Sequence, residues 1–161
     1  MAGTTIDEAA TVEVSREEAI AALRSRQNFA AAIPAGLAAA VVGAVVWALF
    51  TYLTGMALGL IAVAIGALVG WAVRRVGRGI DLRFGVLGAV CAAFGWALGT
   101  VLCDVAFVAK DAGRPFLDVL AALGGGETIA LAFRTADAMD LLFLAIAVWE
   151  GWKLSRPYGL R

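Results

Sequence analysis

Between Arg26 and Arg74 no residue of this chain carries a charge. A backbone that sits in hydrocarbon has no water to bond with, so it must satisfy its own N–H and C=O groups, and only helices and closed barrels do that. A barrel would alternate apolar and polar residues in short segments, a pattern missing here. Several apolar runs instead reach or approach the roughly 20 residues that cross a bilayer as helix. The chain is 62% hydrophobic with a mean hydropathy of +0.88, too little polar surface to coat a water-soluble domain. The expected fold is an all-α membrane protein, a four-transmembrane-helix bundle.

The spans are expected at about residues 33–53, 56–73, 84–109 and 138–154, forming a transmembrane domain over 31–156. Residues 1–30 form a cytoplasmic tail and amphipathic helix, and 157–161 a second short tail. In the first segment Ser15 and Glu18 fit a capping box, with Ile20, Leu23 and Gln27 following at helical spacing. No apolar signal precedes the first span, so that span itself directs insertion. Pro34 falls in the first turn of that span, where a missing N–H costs little. The uncharged "TYLTGM" is short enough to make spans one and two antiparallel neighbours. Between spans three and four, Pro115 and Gly124 bracket one short helix and Glu127 to Arg134 suggests another, giving a helical outer loop. Asp137 is a good N-cap for span four.

Orientation follows from Lys and Arg. Arg16, Arg24, Arg26, Arg74, Arg75, Arg78, Arg83, Lys153, Arg156 and Arg161 lie on one side, against Lys110, Arg114 and Arg134 on the other. Ten against three makes the first side, with both termini, cytoplasmic. The patch of Arg74, Arg75, Arg78 and Arg83 reads most simply as a topology determinant, with anionic lipids or an acidic partner loop as the sharper alternative. Trp71, Trp149 and Trp152 mark the same boundary as an aromatic belt.

Wound as a helix, span three gathers Leu87, Val90, Phe94, Leu98, Val101 and Leu102 on one arc and small residues, Gly88, Gly95 and Gly99 among them, on the rest. Helices associate in lipid where small residues let backbones approach, so the small arc faces a neighbour and the bulky arc faces lipid. Span two repeats the device with Gly59, Gly66 and Gly70, the last two a literal GxxxG, and span one offers Gly36 and Gly43. Packing within one bundle explains these stripes, and homo-oligomerisation through a leftover small face is the alternative.

Asp104 is the sole charge between Arg83 and Lys110, at the edge of the small arc and one turn beyond Thr100. A carboxylate bare to acyl chains is costly, so Asp104 is expected to join Thr100, Asp140 and Arg134 in one polar cluster. The readings are a charge-paired clamp between spans three and four, an ion or proton site, or a charge simply tolerated near the interface. Glu150 and Lys153 are spaced to pair on one helix face.

Several functions are disfavoured by what is missing. There is no histidine, Ser15, Ser25 and Ser155 all lie outside the spans, and no CxxC or phosphate-binding loop is present, so an enzyme is not expected. No metal or cofactor is implied. Cys91 and Cys103 lie roughly 18 Å apart along one helix and cannot bridge each other. A net charge of zero points to no nucleic-acid partner. The remaining readings are an accessory, scaffold or assembly subunit, partnered by the lipid bilayer and by other membrane subunits or further copies of itself, and a homo-oligomeric ion or proton channel using Asp104.

At "VWALFTYLTGMALGLIAVAIGALVGWAVRRVGRGID" and "MDLLFLAIAVWEGWKL" the chain resembles a group of bacterial four-span integral membrane proteins of unknown function, over most of residues 33–156. The resemblance implies four spans and bacterial origin, and a bacterial helical multi-pass protein is expected in the inner (plasma) membrane. Members often carry a soluble module before the first span. Only a short helix stands there in this chain, so no module-borne activity carries over and no catalytic residue is implied.

Overall fold

The computed structural model describes Ser15 and residues 17–56, 58–135 and 137–156, with the side chains of 123, 127–129 and 131–135 left aside. Among the described residues every regular element is a helix: α1 (17–25), α2 (Phe29–Thr54), α3 (Leu60–Gly77), α4 (Leu82–Asp111), α5 (Phe116–Thr135) and α6 (Ala138–Leu154). Three of them, α2, α3 and α4, are long and apolar enough to cross a membrane.

Helix ends follow local chemistry. Asn28 caps α2 by accepting from the Ala31 N–H, while its own N–H donates to the Gly77 carbonyl at 2.9 Å. This start lies a turn earlier than the apolar run suggests, so Pro34 sits inside the helix beyond its first turn. Phe29 makes the earlier start worthwhile by meeting Phe84 edge-on at 5.3 Å between ring centroids. Gly55 ends α2 with φ of 73°, a left-handed conformation that glycine adopts without strain. The turn that follows carries the start of α3 to Leu60, later than Met56. Within α5 the helix breaks at Gly124, where φ is 67° and ψ 169°. The expected division of this loop at Gly124 therefore coincides with its kink.

α3 and α4 form the centre. Each packs against both α2 and α6, and α2 and α6 stand on opposite sides of them without touching among the described residues. Glycines set the register. A Cβ at Gly36 would meet Val73 of α3 and Cys91 of α4 at 2.8 and 3.0 Å, and one at Gly95 would meet Ile65 at 2.9 Å and Ala40 at 3.1 Å. Along α3, a Cβ at Gly59 would strike the Phe143 ring, at Gly66 the Ala147 carbonyl, and at Gly70 Leu154 at 2.8 Å. Residue numbers rise together on both helices, so α3 and α6 run parallel. Gly88 of α4 faces Gly151 and Ser155 near the other end of α6, so that pair is antiparallel.

The core is built from Trp47, Ile65, Val69, Val73, Phe84 and Cys91 among smaller residues. The exterior carries the remaining bulk. Val42, Val46 and Leu49 of α2, Val90 of α4 and Leu141 of α6 are all at least half exposed. A soluble monomer rarely shows contiguous apolar surface on this scale, whereas hydrocarbon welcomes it. Gly88, Gly95 and Gly99 are buried and Phe94 is exposed. The two-arc picture holds only in part: Leu87, Leu98, Val101 and Leu102 of the bulky arc are half-buried, Leu87 against the core, and Ala97 faces outward. With four helices against it, α4 has more of its circumference covered than one arc.

Candidate functional site

The bundle has two ends of different chemistry. The far end holds the α2–α3 turn, the end of α4, α5 and the start of α6. Lys110 reaches across from α4 to donate to the Leu53 carbonyl at 3.3 Å, placing a cation on the open carbonyls at the end of α2. Tyr52 meets Phe116 edge-on at 6.4 Å, and Val119 of α5 is buried against Val105 and Ala109. Just inside this end, Thr51 Oγ1 and Cys103 Sγ share a buried hydrogen bond of 3.2 Å between α2 and α4. Asp104 follows directly and is half-buried.

The other members of the expected polar cluster take local partners. Thr100 donates to the Trp96 carbonyl of its own helix at 3.1 Å. Asp140 accepts from the Asp137 N–H at 3.0 Å, and Asp137 in turn accepts from Met139 and Asp140, a complete capping box. The reason is proximity: the first N–H groups of α6 have no partner within the helix, and both carboxylates lie within reach of them. The Arg134 side chain lies outside the described residues.

The opposite end is basic, and there the four expected arginines divide. Arg83 pairs with Asp81 at 3.6 Å, and Arg24 of α1 pairs with the same carboxylate at 3.3 Å. The Arg83 guanidinium also stacks over Phe29 and Phe84, 5.2 and 5.4 Å from their ring centres. Asp81 precedes α4 but makes no side-chain cap, since its oxygens face these two cations. Together with the Asn28–Gly77 bond, this ties α1 and the start of α2 to the α3–α4 connection. α1 itself is mostly exposed, Leu23 at 42%, so it is held by an ion pair more than by an apolar face.

Arg74, Arg75 and Arg78 take no part in this network, and among the described residues no acid pairs with them. With Trp71 they line a cleft of about 290 Å³. Arg78 ends α3 in the left-handed region, with φ of 48°. Elsewhere at this end Glu150 and Lys153 pair at 3.8 Å, and Arg156 stacks on Trp152 at 4.6 Å. Neither the division of the arginines nor the cleft follows from sequence spacing, because Asp81 is near Arg78 and Arg83 alike. No His, Cys, Asp and Glu grouping among the described residues has the makings of a metal site.

No protein-family model, characterised protein or solved structure matches the chain.

Proposed function

We propose that the chain is a small polytopic protein of a bacterial plasma membrane, with four spans and cytoplasmic termini, acting as an accessory, scaffold or assembly subunit. The observation that carries this reading is the interior. Among the described residues the buried hydroxyls of Thr51 and Ser155 are hydrogen-bonded within the bundle, and the buried indole N–H of Trp47 is held among apolar neighbours without an acceptor. An interior built this way, of apolar and small residues with few polar groups, supports a protein that acts through its surfaces. The glycine stripes of α2, α3 and α4 are filled by neighbouring helices of the same chain, which turns bulky residues outward. A fourth crossing by α6 is supported by its 17 residues, about 25 Å of helix, lying alongside α3. The basic end is cytoplasmic by its excess of Lys and Arg.

Crosslinking in native membranes followed by mass measurement tests the proposal. A heteromeric complex containing this chain is expected. A second reading, a homo-oligomeric ion or proton channel, draws on the half-buried Asp104 in the otherwise uncharged run of α4. Recovery of a lone homo-oligomer, with ion flux abolished by Asp104→Asn, would replace the scaffold with the channel.

A further inference from the structure

We infer that Trp71, Arg74, Arg75 and Arg78 form a binding site for the phosphate of an acidic phospholipid headgroup. Three observations converge on it. These guanidiniums have no acidic partner among the described residues, although Asp81 pairs with both Arg24 and Arg83 a short distance along the chain. They share one cleft with an indole that is 60% exposed. The backbone also holds Arg78 in place from both sides: Gly77 fits between Ala32 and Phe84, Gly79 lies against the Phe84 ring, and the Arg78 N–H bonds the Arg74 carbonyl at 3.0 Å. Non-glycine residues avoid this left-handed conformation. Here both glycines serve the packing around Phe84, and the arginine occupies the strained position between them.

The ligand class follows from charge, geometry and depth. Guanidinium is a planar fork that matches phosphate oxygens and is weakly hydrated, so it releases water readily for that exchange. Three full positive charges outweigh the negative end of the α3 dipole, about half a charge. α3 has 18 residues, about 27 Å of helix, close to the hydrocarbon thickness, so its last turn emerges where headgroup phosphates lie. Trp71, a turn earlier, sits at the level an interfacial indole prefers. The inference rests on α3 crossing the bilayer and is independent of the scaffold reading.

The test uses the full chain in a neutral detergent, titrated with short-chain phosphatidylglycerol, with phosphatidylcholine of the same chain length, and with inorganic phosphate, while tryptophan fluorescence is followed. Saturable binding of phosphatidylglycerol is expected, about tenfold tighter than phosphatidylcholine, with the signal lost in Trp71→Phe. Each basic residue at an acidic surface is worth about fivefold. Arg78→Gly therefore weakens binding by about that factor and Arg74→Ala/Arg75→Ala by more, while Arg24→Ala, which removes the same charge from the same end, leaves it unchanged. Arg78→Gly relieves the left-handed strain, so its melting midpoint holds or rises and the lost affinity cannot be ascribed to unfolding. Equal affinity for the two lipids, an equal effect of Arg24→Ala and Arg78→Gly, or a signal that persists in Trp71→Phe would each overturn the site. Inorganic phosphate binding as tightly as the lipid would overturn the lipid as its source. A scaffold partner, found or not, bears on none of these readings.

Discussion

A methyl group at Gly66 would strike the Ala147 carbonyl of α6, whereas one at Gly125 would meet nothing within 4 Å. Backbone cannot step aside as a side-chain tip can, so Gly66→Val is expected to lose about 1–3 kcal/mol, with Gly125→Ala within about 0.5 kcal/mol of the parent. Thermal unfolding in one detergent compares them directly, and equal midpoints would mean that α3 and α6 do not approach as described. At the far end Lys110 supplies a cation to the Leu53 carbonyl. Lys110→Met should cost about 0.3–1 kcal/mol, most of which Lys110→Arg retains. Gly66 and Gly70 announce close packing through their spacing alone. Asp137 is legible as an N-cap, but nothing in the sequence says that Asp140 completes the cap rather than turning toward Asp104.

Between elements, polar contacts are few and each joins particular helices. The Thr51–Cys103 bond links α2 to α4, and Thr51→Val is expected to cost about 0.6 kcal/mol, the usual worth of an interhelical hydrogen bond in a membrane protein. A loss of several kcal/mol would show that the threonine does more than bond the thiol. Asp81 joins α1 to the α3–α4 connection through side chains that remain partly exposed, Arg24 at 64% and Asp81 at 31%. Such pairs are worth at most about 1 kcal/mol, so Asp81→Asn should hardly move global stability. It should release α1 instead, and trypsin should cut at Arg24 and Arg26 sooner than in the parent. Unaltered cleavage would mean that the Asn28–Gly77 bond and the Phe29–Phe84 pair hold α1 without the carboxylate.

For the whole molecule the central prediction is topographic. Cys91 and Cys103 are buried, 1% and 3% exposed, so both should resist a membrane-impermeant maleimide and allow single cysteines elsewhere to report position. Glu17→Cys and Lys153→Cys are expected to react from one face of sealed vesicles and Asp111→Cys from the other. Reaction of Lys153→Cys and Asp111→Cys from the same face would leave α6 lying on the surface and reduce the bundle to three crossings. That outcome would also contradict the contacts by which α6 runs alongside α3 from Gly59–Phe143 to Gly70–Leu154.

The apolar runs by themselves determined that the chain is helical and where its long helices lie, because the cost of an unbonded backbone in hydrocarbon accumulates along each run whatever its neighbours are. Gly124 as a break and the small-residue stripes as packing faces were legible for the same local reason. Only the tertiary structure decided that α2 and α6 stand apart across α3 and α4, that the GxxxG of α3 receives α6, and that Asp81 takes Arg83 while Arg74, Arg75 and Arg78 open onto a cleft. Those choices depend on surfaces meeting across distant stretches of chain. Glycine and alanine look alike along a sequence, and shape becomes specific only when two helices are laid together.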